Sequence, residues 1–174
     1  LAMSLDHFVP LWQRLIANTP FLRVRRAHPI TAWLYTEGRK LDQREIARRH
    51  AESQALLDAW HGEADLLLTP TTAIVAPPIG LGHADLATDP RAAFERFVPF
   101  GAYTAPFNVS GQPAASLPVG LTPGGLPMGA QLIGRRGEDA LVLAVMRQLE
   151  EAGVARFVPA PTGERVTVPH EPTA

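Results

Sequence analysis

Residues 103–135, YTAPFNVSGQPAASLPVGLTPGGLPMGAQLIGR, decide the fold. Within them Ala114 to Val119 and Met128 to Ile133 are short apolar runs, separated by Thr122-Pro123-Gly124-Gly125. Proline presets one φ and glycine supplies φ > 0, so the pattern predicts two strands joined by a tight connection. Small residues dominate the pair. Ala114, Ala115, Ser116, Gly120 and Gly129 leave little side chain between backbones, as suits a sheet covered closely on both faces. Upstream, Leu66-Leu67-Leu68 is a continuous apolar run ended by Pro70 and reads as a buried, parallel strand. A strand following a helix after so short a connection is an α/β pattern.

The N-terminal third is helical in pattern. Leu5, Phe8, Trp12, Leu15 and Ile16 recur at helical spacing, with Ser4 or Asp6 as N-cap and Pro10 tolerable only near the first turn. His28-Pro29 opens a short helix carrying Ile30, Trp33 and Leu34 and closing at Gly38. Asp42 and Glu45 form a capping box for a third helix, whose apolar positions are Ile46, Ala47, Ala51, Ala55, Leu57 and Trp60 and whose stop is Gly62. Its basic side, Arg44, Arg48, Arg49 and His50, reads as a solvated face paired with Glu45 and Glu52. Residues 71–89 lack periodicity and predict a surface loop that covers something. Brief helices are expected over 91–98 and 101–108. In the last helix Leu141, Val142, Val145, Met146 and Leu149 line one face, Glu138 and Asp139 sit at the positive end, and Gly153 stops it.

The 174 residues are 46% hydrophobic and 19% charged, enough to bury one core. Lys+Arg number 16 against 17 Asp+Glu, so no net field recruits nucleic acid or an anionic membrane. No apolar run is long enough to span a bilayer, and a soluble, cytoplasmic chain is expected. With no cysteine there is neither a disulfide nor a thiolate nucleophile. Leu1 is not an initiator methionine, which fits a chain begun in mid-protein.

The six histidines, His7, His28, His50, His61, His83 and His170, never adopt the spacing that puts two imidazoles on one helical face, so they are expected at the surface or at helix ends, with no metal or cofactor. Asp58 and His61, three apart, are expected to pair at a helix end. Gly80-Leu81-Gly82 and Gly124-Gly125 lack the strand-then-helix context of a dinucleotide site. Asn108-Val109-Ser110 is formally a glycosylation acceptor but reads as structural: Asn108 bonding backbone and Ser110-Gly111 turning into the strand.

Asp65-Leu66-Leu67-Leu68-Thr69-Pro70, then Pro106-Phe107-Asn108-Val109-Ser110-Gly111-Gln112-Pro113-Ala114, then Gly125-Leu126-Pro127-Met128-Gly129-Ala130-Gln131-Leu132-Ile133-Gly134 and the helix over 138–152 are linked motifs. In that order they resemble the C-terminal part of the amidase signature family. The resemblance implies part of a mixed-sheet α/β/α sandwich, with a helical segment over 1–62 flanking the substrate channel, the α/β part over 63–158 and a Pro-rich tail over 159–174. It also implies a serine amidase that joins a lysine, a serine in a cis peptide and a nucleophilic serine, the last two in a Gly/Ser-rich run. No such run is present. The only lysine is Lys40, and Ser4, Ser53, Ser110 and Ser116 stand singly, so a Ser-Lys unit cannot assemble from this chain alone.

The expectation is therefore the C-terminal half of an amidase that cleaves a small carboxylic amide, its nucleophile lying outside these residues. Its partner is then the N-terminal catalytic half, and the face meant for that half is exposed or covered by self-association. By the same resemblance Gly101, Thr104, Ala105 and Asn108 line the substrate channel, with Phe8 and Trp12 beside them, while Phe107 enters the core. Two other readings stay open. One is the glutaminase component of a tRNA-dependent amidotransferase, although Phe107 departs from the T-x-P-A-N-x-A-G-L-P such proteins resemble. The other is a non-catalytic binding or scaffold module that kept this part of the fold.

Overall fold

The central strand of the sheet is β3 (Pro127–Ile133), with β1 (Leu67–Pro70) on one side and β2 (Ala114–Leu121) on the other. The computed structural model describes residues 5–20, 23–81 and 85–155; the tail expected at 159–174, and Ser4, His83 and His170, lie outside the described residues. Among the described residues there are six helices, α1 (Leu5–Ala17), α2 (Pro29–Gly38), α3 (Gln43–His61), α4 (Pro90–Glu95), α5 (Ala105–Ser110) and α6 (Asp139–Glu151), with single 3-10 turns at Val24–Arg26 and Val98–Gly101.

β2 and β3 form the expected hairpin, closed by Gly125 N–H on Thr122 O at 2.9 Å and Thr122 N–H on Leu126 O at 2.8 Å. Gly125 takes φ +80, which the turn requires. Register places Ile133 opposite both Leu67 and Ala114, and Gln131 opposite both Thr69 and Ser116. A bulge between Pro118 and Gly120 bends the outer half of β2.

Two expectations for the sheet are corrected. β1 is antiparallel to β3, not parallel to its partner, and it is an edge strand on which Leu68 is 70% exposed. An all-apolar triplet cannot distinguish a strand buried on two faces from one that alternates, because alternation needs polar residues to be visible. The close cover expected on both faces holds only at the inner end of the hairpin, where Gln131, Leu132 and Ile133 of β3 are all buried; of β2 only Leu117 is.

The core under the sheet is Ile133 against Leu57 of α3 and Phe107 of α5, with Leu67 partly covered beside them. Trp60 stacks on Phe107 at 5.8 Å and 15° between planes, so α3 and α5 share an aromatic seam as well as an aliphatic one. The buried stripe of α3 is Ser53, Leu57 and His61, while Ala47, Ala51 and Ala55 are not buried. Polar Ser53 is invisible to hydrophobic periodicity; it satisfies itself by donating to Arg49 O at 2.8 Å.

Helices α1, α2 and α4 form a second packing unit. Phe94 of α4 sits edge-on to Trp12 at 5.8 Å and tilted against Trp33 at 5.6 Å, tying α4 to α1 and α2. The α1–α2 contact is backbone-close: a Cβ at Gly38 would lie 2.0 Å from Gln13 O and 2.9 Å from Ala17 Cβ. Gln13 and Ala17 are therefore buried while Leu15, expected inside, is 67% exposed. Pro10 lies beyond the first turn of α1, further in than expected, and removes one intrahelical donor. Gly38→Ala is predicted to lower stability by about 1–3 kcal/mol through overpacking, read as a lower urea midpoint with an unchanged slope.

On the surface of α3, Asp42 caps by accepting from Arg44 N–H at 3.3 Å. Glu45 does not reach back to complete the box; it bonds Arg48 and Arg49 at 2.7–2.8 Å, and Arg48 also holds Glu52. Hydrogen bonds from Arg48, then Arg49, hold the Glu45 carboxyl down from the usual 4.5 to about 2. Because folding favours the ionised form, its contribution is complete above about pH 4.5 and is lost as pH falls towards 2. Circular dichroism between those pH values should show helix stability falling less steeply in Glu45→Gln than in the parent, with the difference shrinking in high salt.

Candidate functional site

The last turns before β2 hold all four positions named for the channel, and three of them lie together. Gly101 ends the Val98–Gly101 turn, Thr104 is the N-cap residue of α5, and Ala105 is its first residue. Thr104 N–H reaches Gly101 O at 3.1 Å, and a Cβ on Gly101 would sit 3.8 Å from Ala105 Cβ and 3.9 Å from Thr104 Oγ1. These three are therefore one cluster. Asn108 lies one helical turn on, its N–H bonded to Thr104 O at 3.2 Å, but it is exposed whereas Ala105 is buried. Its side chain makes no hydrogen bond to a described residue, so the expected Asx bond is absent. Phe8 and Trp12 belong to α1, which touches α5; the Trp12 ring itself is taken up by Phe94.

The C-terminal end of α5 is fixed by a buried polar knot that hydrophobic patterning does not foretell. Gln112 Nε2 lies 2.9 Å from His61 Nδ1 and donates to Gly134 O at 3.2 Å, and its Oε1 accepts from Ser110 Oγ at 2.9 Å. With the amide donating, His61 Nδ1 is the acceptor, which leaves Nε2–H to face Asp65 O at 3.3 Å. His61 ends α3 as expected, but it is only 2% exposed, and Asp58 pairs with Arg136 at 2.7 Å instead of with His61. The only sequence signal is position: His61 ends α3, and Gln112 follows Gly111, whose φ of +71 ends α5. Arg135 adds a second tie, donating to Gly62 O at 2.6 Å and Ala64 O at 3.0 Å.

None of the described hydroxyls is set beside a base. Ser110 and Ser53 are buried in the bonds above, Ser116 shares its hydroxyl with Thr71, and Lys40 Nζ is paired with Glu37 at 2.6 Å on the surface. Among the described residues no three His, Asp or Glu side chains converge in a way that could hold a metal, and no helix is long and apolar enough to cross a membrane.

A groove of about 560 Å³ opens between β1, residues 72–75 and the 127–130 end of β3, with Val119 on its rim. Gly101, Thr104, Ala105 and Asn108 do not line it. The loop after Pro70 lies at the surface as expected, Ile79 at 91% exposed, and its residues 72–75 wall the groove.

The family profile described as Amidase matches residues 17–143. This chain belongs to the amidase family. It is 40% identical over 97 residues to the 6-aminohexanoate-cyclic-dimer hydrolase of Paenarthrobacter ureafaciens, covering 53% of this chain and 20% of that protein. Against a glutamyl-tRNA(Gln) amidotransferase polypeptide of Granulibacter bethesdensis it is 38% identical over 115 residues, 66% of this chain and 20% of that protein. The solved structure of 6-aminohexanoate cyclic dimer hydrolase complexed with substrate superposes with a TM-score of 0.70 at 25% identity, covering 88% of this chain and 36% of that one. The chain thus spans about a fifth of the length of these curated relatives and about a third of the solved amidase. The amidase fold expected from the linked motifs is the fold observed, over the part of it that this chain supplies.

Gln112→Ala leaves His61 Nδ1 without a partner inside the amidase core and takes from the Ser110 hydroxyl the shorter of its two acceptors, Phe107 O at 3.3 Å remaining. A loss of about 1–3 kcal/mol is expected, against less than about 0.5 kcal/mol for the exposed Gln148→Ala, both measured by thermal denaturation.

Proposed function

We propose that this chain forms the C-terminal part of an amidase that hydrolyses a carboxylic amide to an acid and an amine or ammonia, the nucleophilic serine lying outside these residues. One observation carries the reading: residues 17–143 match the amidase family while Lys40 and the described serines are all engaged in structural bonds. In the reaction the outside serine attacks the amide carbonyl, the C–N bond breaks as the amine leaves with a proton, and water then cleaves the acyl-enzyme. The contribution of this chain is positioning: Gly101, Thr104, Ala105 and Asn108 line the acyl channel, with Phe8 and Trp12 of the helical segment alongside, so that the carbonyl meets the serine in a reactive pose. The cyclic amide named for one relative supports a small amide as substrate, and the name of the other keeps a glutaminase role as the second reading.

The natural gene product carrying these residues should be treated with a serine-directed fluorophosphonate and mapped by peptide mass spectrometry, alongside amine release from a panel of amides. Labelling at a serine outside the present 174 residues, together with amine release, is the expected result. Labelling at Ser53, Ser110 or Ser116, or a product that neither labels nor turns over any amide, would overturn the reading, the second in favour of a non-catalytic module. Gly101→Ala tests the channel: a Cβ there meets only ordinary contacts at 3.8 Å and beyond, so folding should be kept while KM for a bulky acyl amide rises about tenfold and that for acetamide stays unchanged.

A further inference from the structure

We infer that Gln131 is a positioning residue for the acyl channel, holding the turn over 101–105 against the sheet; the inference rests on the amidase reading proposed above. Gln131 is central in every sense: it sits on the middle strand, opposite Thr69 and Ser116, and is 5% exposed. By strand alternation its side chain points to the same face as Ile133, whose contacts with Leu57 and Phe107 place α3 and α5 over that face. From there Nε2 donates to Tyr103 O at 2.9 Å, and its second hydrogen reaches Thr69 Oγ1 at 3.3 Å. Thr69, 8% exposed, donates its own hydroxyl hydrogen bond to Pro70 O at 3.0 Å, so the carboxamide is oriented from the edge strand as well.

Tyr103 directly precedes the proposed lining position Thr104 and lies two residues after Gly101. Its carbonyl is therefore the point at which a rigid strand fixes a turn that has few internal bonds: Ala102 N–H to Pro99 O at 3.4 Å and Thr104 N–H to Gly101 O at 3.1 Å. The opposite end of α5 is fixed by Gln112 and Ser110. Two buried glutamines thus clamp the two ends of one six-residue helix. The Gln112 end bonds to His61 and Gly134 and answers to the core, whereas the Gln131 end answers to the channel. Loosening a wall that orients substrate costs binding of a long acyl group before it costs bond chemistry supplied from elsewhere.

The test uses the natural gene product with Gln131→Met, which keeps volume but donates nothing, and Gln131→Glu, which keeps shape but presents an acceptor to Tyr103 O when ionised. In an enzyme active before substitution, both variants should raise KM for a bulky acyl amide about tenfold with kcat within about twofold. Hydrogen exchange at 101–105 should accelerate at least as much, while α3 is unaffected. Unchanged KM and unchanged exchange in either folded variant would overturn the inference, as would a fall in kcat and stability with KM untouched. Inactivity of the unsubstituted protein on every amide would instead strike down the amidase reading and the channel role with it, so the two failures are told apart before any variant is measured.

Discussion

A buried amide cannot be left without partners, and Gln112 meets that constraint by joining four separate parts of the chain. His61 brings the end of α3, Ser110 the end of α5, Gly134 the exit of β3, and Gln112 itself the entrance to β2. Each of these groups would cost about 1–3 kcal/mol if buried alone, so the arrangement is satisfied as a unit or not at all. Leu57, Phe107 and Ile133 supply the apolar gain around the knot, but apolar contacts have no direction. The polar knot sets how the helical layer meets the sheet.

Arg135 and Arg136 extend the same logic to the surface. Arg135 takes up Gly62 O and Ala64 O just beyond α3, and Arg136 joins Asp58 to Ser110 O. The turn between β3 and α6 is thus laced to the far end of α3. The α1–α2–α4 unit is held differently, by aromatic edges and by the backbone approach at Gly38. One unit is specified by hydrogen bonds, the other by fit.

Much of this was legible in residue order. The hairpin was visible because Pro123 and Gly125 suit its turn, and α2 and α6 because proline or acidic residues open them and glycine or a following Gly153 closes them. The family followed from several motifs in a fixed sequence. What stayed hidden was polar burial. Ser53, His61, Gln112 and Gln131 look like surface residues in any hydrophobicity pattern, and nothing local reveals that their partners lie elsewhere in the chain. The direction of β1 was hidden for a related reason: three leucines in a row carry no face. Gly101, Thr104 and Ala105 are named only through family likeness, since they have no chemistry of their own to advertise.

β1 and β3 lie far apart in the chain, and Gln131 bonds Thr69 across 62 positions, whereas β2 and β3 are neighbours joined by the short link from Thr122 to Leu126. Closing a long loop costs entropy that a short one does not. Loop-closure entropy thus favours adding the edge strand, with the last turn of α3, to a hairpin already zipped. Nascent chains would assemble this region in reverse of the order in which they are translated, with the earliest residues to emerge waiting for the latest.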